Sequence, residues 1–174
     1  MSIKIIEKFS NVFVETGTFY GEGIQVAINA GYEKIISIEI FKKYFDFGTQ
    51  RFALNKNVKI VLGDSSLILD ETIKDINEPI TFWLDGHCSG EGTGLGTKYY
   101  PLIEELEHIR NHPLKTHIIM IDDIRLWKEY DKELNFQSVI NKILTINPTY
   151  SIYTMDGIVE STILPDDILI AKLD

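Results

Sequence analysis

The feature that most constrains this chain is a repeated order. A short β-branched run ends in an acidic residue, and a stretch of helix length follows. Five such runs are Asn11–Val14, Lys34–Ile40, Val58–Leu62, Ile80–Leu84 and His117–Ile121. Between them, Ile24–Ala30, Phe41–Leu54, Ser66–Ile76 and Leu102–His112 carry apolar residues at helical spacing. A further helix is predicted over about Leu134–Ile146, with Phe136, Val139, Ile140, Ile143 and Leu144 at core positions. Gly31 stops the first helix, Pro79 breaks the third, and Pro101 suits a first helical position. Tyr150–Thr154 and Ile168–Leu173 have no helix-length insert between them and are predicted to pair antiparallel. Strands joined through helices give a mostly parallel sheet covered on both faces. The predicted fold class is α/β, one doubly wound domain over residues 1–174, with a seven-stranded, mostly parallel sheet and an antiparallel last strand.

Composition narrows the partners. The 174 residues are 44% hydrophobic and 25% charged, ordinary for a globular domain. A chain with 17 basic and 26 acidic residues has a formal charge of −9, against the basic footprint that nucleic-acid binding or an anionic membrane needs. No apolar run approaches the roughly 18–20 residues of a membrane helix. The N-terminus has no apolar signal core, and Cys88 is the one cysteine, so a cytoplasmic protein is expected.

In open α/β sheets, ligands bind outside the carboxyl ends of the strands. Those ends are Glu15 to Gly23, Glu39, Asp64-Ser65, Asp85 to His87, and Asp122-Asp123. The segment Glu15-Thr16-Gly17-Thr18-Phe19-Tyr20-Gly21-Glu22-Gly23 is glycine-rich but is neither a G-x-G-x-x-G fingerprint nor a P-loop. A carboxylate at Glu15 would repel a pyrophosphate and attract an ammonium group. Glu39 lies 22 residues after Gly17, near the spacing at which an acid meets ribose hydroxyls.

With these residues the chain resembles class I S-adenosylmethionine-dependent methyltransferases over nearly its full length, which implies a Rossmann-like fold. The family's first motif matches Glu15-x-Gly17 with Gly21 and Gly23, its second-strand acid matches Glu39, and its third-strand Gly-Asp matches Gly63-Asp64-Ser65. Phe19 departs from the pattern, standing where many members carry glycine. The resemblance implies S-adenosylmethionine as cofactor, held by Glu15, Gly17, Thr18, Gly21, Glu39, Asp64, Ser65 and Asp85.

Adjacent parallel strands would bring Asp85 together with Asp122 and Asp123, and three converging carboxylates call for a cation or for protons. Hard oxygen ligands suit Mg²⁺ or Ca²⁺, with Mn²⁺ also compatible. The arrangement resembles the metal site of catechol O-methyltransferases, and Trp83-Leu84-Asp85-Gly86-His87-Cys88-Ser89-Gly90 resembles sugar O-methyltransferases of the macrocin type. Methyl transfer to a hydroxyl of a small molecule or sugar is the expected reaction, with Asp85 or His87 taking the proton. The glycine-rich loop Ser89–Tyr100 is expected to act as a lid. His108, His112 and His117 are read as structural, Arg125-Leu126-Trp127 as packing or as a border of the acceptor pocket, and Lys128 to Glu133 as a solvated charge run. The short N-terminal lead implies an open pocket, a homodimer that closes it, or a large acceptor. The alternatives are an adenosyl-binding module without methyl transfer, a nucleotide-dependent oxidoreductase, and a non-methylating enzyme of the same fold.

Overall fold

A computed structural model describes residues 8–88, 90, 92–127 and 134–174. Residues 1–7, Ser89, Glu91 and the charge run 128–133 lie outside the described residues. The chain runs β1 (Val12–Thr16), α1 (Glu22–Ala30), β2 (Lys34–Glu39), α2 (Lys42–Arg51), β3 (Val58–Leu62), α3 (Ser65–Ile73), β4 (Ile80–Leu84), α4 (Leu102–Asn111), β5 (Ile118–Ile121), a 3₁₀ turn (Ile124–Leu126), α5 (Phe136–Ile146), β6 (Ser151–Val159) and β7 (Thr162–Lys172).

The strands form one seven-stranded sheet in the order β3-β2-β1-β4-β5-β7-β6. The first five are parallel; β7 runs antiparallel to both β5 and β6. The α/β fold class read from the sequence is the one observed. The order reverses between β1 and β4, and this switch point opens the crevice in which such sheets bind ligands.

Alternate residues of each strand feed two cores, as the period of two requires. Val12, Val14, Ile36, Ile38, Phe82, Leu84, Ile119 and Ile121 pack against Leu69 and Ile73 of α3, Leu102, Leu106 and Ile109 of α4, and Val139 and Ile143 of α5. Phe13, Ile35, Trp83, Met120 and Ile170 face the other way, toward Ile24 and Ala27 of α1 and Phe52 beyond α2. Helices therefore cover both faces. Among the described residues no helix is long and apolar enough to cross a membrane.

The terminal hairpin is longer than expected. β6 and β7 extend to Val159 and back from Thr162, joined by Glu160 and Ser161, both at positive φ (47° and 76°). Two positive-φ residues make the turn whose twist matches antiparallel strands. Asp156-Gly157 and Pro165-Asp166 read as loop by residue type, yet they lie in these strands.

The opposite end of the sheet is held by a histidine pair. The Ile80 amide donates to His117 Nδ1 at 3.1 Å, which leaves the proton on Nε2, and Nε2 faces His112 Nδ1 at 3.0 Å. Burial, with His112 and Lys115 adding to it, lowers the His117 pKa to about 4. A histidine near 6.5 in the unfolded chain and near 4 in the folded one binds its proton first when unfolded. Its contribution to stability is complete above about pH 6.5 and fades as pH falls toward 4. The expected outcome is that the stability advantage of wild type over H117Q, measured by urea unfolding, shrinks by about 2–3 kcal/mol between pH 7.5 and pH 4.5. An advantage that holds constant across this range contradicts the assignment.

Candidate active site at the carboxyl ends of the strands

A cavity of about 410 Å³ opens at the switch point. It is lined by Gly17 and Phe19 after β1, Glu39 at the end of β2, Gly63 to Ser65 after β3, Asp85 to His87 after β4, and Asp123 after β5. Gly92 to Gly94, Gly96 and Lys98 of the glycine-rich loop and Pro101 close its other side. Four sequence-predicted residues do not line it: Glu15, Thr18, Gly21 and Asp122.

Gly17 sits at φ +85°, and a Cβ there would stand 2.6 Å from the Asp85 carbonyl oxygen. Only glycine allows the turn after β1 to press against the end of β4. Phe19 also adopts a positive φ, 47°, at the position where the family pattern has glycine. That conformation is costly for a side chain with a Cβ. It is held by the Phe19 amide, which donates to Glu39 Oε2 at 2.9 Å, and by ring contacts to Tyr20 and Tyr44 at 4.5 and 4.6 Å. Glu39 Oε1 accepts the Phe41 amide at 2.8 Å. Each carboxylate oxygen has two lone pairs, so both retain capacity toward a ligand's hydroxyls.

Glu15 lies beneath the cavity, fully buried, with Oε1 accepting the Ser37 hydroxyl at 2.7 Å. Thr18 is within 2.5 Å of the same Ser37 hydroxyl. Burial, only partly opposed by the Ser37 hydrogen bond, lifts the Glu15 pKa to about 8. The carboxyl is therefore largely neutral at pH 7 in the protein alone, and an ammonium group would have to draw it back to its charged form. Asp64 caps α3, its Oδ1 accepting the Ser66 amide at 3.0 Å and the Ser66 hydroxyl at 2.6 Å. Its Oδ2 accepts the Thr97 amide at 2.7 Å, which pins the glycine-rich loop over the third strand end. Burial alone would raise Asp64, but these hydrogen bonds outweigh it and hold it below the ordinary carboxylate value. Of the expected lid, Ser89 and Glu91 lie outside the described residues, and Thr97 is anchored as just described.

The acidic strand ends meet around a histidine. His87 Nδ1 lies 3.4 Å from Asp85 Oδ1 and Nε2 lies 3.3 Å from Asp123 Oδ2. The imidazole stacks on Tyr100 at 5.3 Å between centroids and 14° between planes. Burial alone would lower its pKa, but Asp85, Asp123 and Asp122 outweigh burial and hold it above the ordinary value. Asp85 is itself raised, chiefly by burial, with His87 opposing. Asp123 stands at φ 60°, a strained conformation of the kind that clusters at functional sites.

Asp85, His87 and Asp123 offer ligand atoms within 4.8 Å of one another, whereas Asp122 gathers with Asp123 and Asp167. The predicted trio of Asp85, Asp122 and Asp123 is thus not one group among the described residues; His87 takes the place of Asp122. Arg125 donates to Asp123 Oδ1 at 2.6 Å and to Asp167 Oδ2, so the second group already has a cation. The first group offers two carboxylates, of the kind that suit Mg²⁺, Ca²⁺ or Mn²⁺, and one imidazole, although Arg125 also pairs with its Asp123.

Two functional neighbours were not singled out in the sequence. Asp167, buried on β7, accepts the Arg125 amide at Oδ1, 3.1 Å away, and the Arg125 guanidinium at Oδ2. Glu105, 1% exposed, stands on the face of α4 that also carries Leu102, Leu106 and Ile109. A charge at an apolar-stripe position was the available signal.

No protein-family model matches the chain, and no curated protein matches it. Solved structures do. An O-methyltransferase from Bacillus cereus in complex with SAH shares 15% identity at a TM-score of 0.64, covering 94% of this chain and 74% of that one. The O-methyltransferase TomG from Streptomyces achromogenes, in complex with SAM, shares 12% identity at a TM-score of 0.64, covering 94% and 73%. An rRNA methylase from Streptococcus thermophilus shares 15% identity at a TM-score of 0.55, covering 98% and 91%. The expected resemblance to class I methyltransferases thus holds at the level of the fold.

Proposed function

We propose that the chain is an S-adenosylmethionine-dependent methyltransferase acting on a hydroxyl of a small molecule or sugar. The observation that carries this reading is the single cavity joining the Gly17 turn, Glu39 and Asp64-Ser65 to the Asp85–His87–Asp123 corner. One end has the groups that suit an adenosyl ligand, and the other has the groups that suit proton removal. S-adenosylmethionine, when bound, supplies an electrophilic methyl group on a sulfonium centre.

The rest falls to the chain's own residues. Glu39 accepts hydrogen bonds from the two ribose hydroxyls. The close backbone at Gly17 lets the ligand approach the sheet end. Ser65 and the residues around Asp64 border the base. Asp85 and His87 act as one unit that takes the proton of the acceptor hydroxyl, with Asp123 orienting the imidazole from its other side. If the same three side chains instead hold a divalent cation, its Lewis-acid charge would lower the hydroxyl pKa, and Asp85 and His87 would serve as ligands rather than as the base. Alignment of acceptor and methyl group is the largest contribution such a site makes. Glu39, Asp64, Asp85 and Asp123 make the lining mainly acidic, which disfavours a densely phosphorylated acceptor such as RNA.

Two tests follow. S-adenosylhomocysteine at about 100 times its dissociation constant should stabilise the wild type by roughly 2.7 kcal/mol in a thermal melt, with NAD⁺ giving no shift. G17A, strained at positive φ and against the Asp85 carbonyl, should lose most of that shift. A shift with NAD⁺ alone would contradict the reading. In the second test, labelled methyl transfer to a panel of sugar and catechol hydroxyls should fall about 100-fold in D85N and in H87A. Loss of transfer on chelation and recovery with Mn²⁺ would support the cation; transfer to RNA in place of the panel would overturn the acceptor assignment.

A further inference from the structure

Glu105 plays no part in the chemistry above, yet it touches three of the elements that build the cavity. Ser65, the first residue of α3, donates its hydroxyl to Glu105 Oε1 at 2.6 Å. The Thr16 side chain, at the end of β1, stands beside the same carboxyl. Thr16 Oγ1 in turn accepts the Asp85 amide at 3.3 Å, just beyond β4. Gly86 packs on the same spot: a Cβ there would stand 3.1 Å from Glu105 Oε1 and 3.0 Å from Thr16 Oγ1.

One carboxyl on α4 is therefore hydrogen-bonded to the residue that follows β3 and the α3 helix cap, and packs beside the ends of β1 and β4. A leucine at this stripe position would fill the same layer without desolvating a polar group. Ionisation of Glu105 is made harder by burial, which lifts its pKa to about 7 against the pull of Ser65 and Thr16, with Asp64 and Asp85 adding to the rise. Apolar packing alone does not account for the residue; its hydrogen bond to Ser65 does.

We propose that Glu105 is a positioning residue of the cofactor pocket, setting the placement of the Gly17 turn, Ser65 and Asp85 relative to one another. The assignment to a cofactor rests on the reading given under Proposed function. It involves no contact between Glu105 and ligand, because Ser65, Thr16 and Gly86 stand against the carboxyl.

The test compares E105A, E105Q and E105L with L106A. Leu106 is fully buried one residue away and lines no part of the cavity, so its truncation measures loss of packing alone. Affinity of the folded proteins for S-adenosylhomocysteine, measured by calorimetry, should weaken about tenfold or more in E105A. E105Q, whose amide oxygen can still accept the Ser65 hydroxyl, should stay within about threefold of wild type. E105L, which refills the layer and removes the hydrogen bond, should weaken binding in the same direction as E105A and carries the test if E105A does not fold. L106A should lower the melting temperature and leave affinity unchanged.

Amide hydrogen exchange of the ligand-free proteins gives an independent readout. E105A or E105L should accelerate exchange at Gly17 and Asp85 relative to Phe82, and L106A should not. Equal affinities and equal exchange patterns across E105A, E105L and L106A would overturn the proposal. Wild type that fails to bind S-adenosylhomocysteine would refute the cofactor, and the exchange pattern would still decide the positioning role.

Discussion

The close approach of the Gly17 turn to the carbonyl of Asp85 is the constraint on which the site depends. It joins β1 to β4 at the one place where the strand order reverses. A parallel sheet leaves its strand ends pointing the same way, and the switch point parts the two halves of the crossover connections. Because the two backbones touch there, the adenosyl-type groups on the β1–β2–β3 side and the ionisable groups on the β4–β5 side share one cavity. Everything proposed about chemistry follows from that junction.

Burial then decides what the acidic residues can do. Glu15 and Glu105 are carboxyls taken out of water with few donors around them, and both titrate near neutrality. Asp64, with donors from Ser66 and Thr97, stays ionised. Asp85 and Asp123 face one imidazole, which carries positive charge more readily for it. Residues of one chemical type thus divide into structural ties, a helix cap that also anchors a loop, and a proton-handling pair. Position in the sheet alone does not separate them; desolvation and donor count do.

Much of this was legible in the sequence. The period-two runs and helical stripes specify the alternating elements, and a parallel sheet puts each run's last acid at the same edge, so Glu39, Asp64, Asp85 and Asp123 reach the cavity as expected. The sequence could not show that Glu15 points beneath the cavity and loses its charge, because pattern carries no desolvation. Nor could it show that His87 rather than Asp122 completes the group with Asp85 and Asp123. Asp123 stands in an αL turn, which Asp visits more readily than most residues, but residue type alone does not say where such a turn falls. Phe19 is similar: the residue type argues against the positive φ it adopts, and Glu39 overrides it. In the terminal hairpin, loop-type residues were drawn into strands by pairing across a two-residue turn.

The central claim is that one cavity at the switch point binds the cofactor. Hydrogen exchange of the wild-type protein with and without S-adenosylhomocysteine tests it most directly, since it reads location and needs no acceptor. The account expects protection confined to the amides around Gly17 to Phe19, Glu39 to Phe41, Gly63 to Ser66 and Asp85 to His87. Protection centred instead on the far groove lined by Arg125, Phe136 and Thr154 would contradict it.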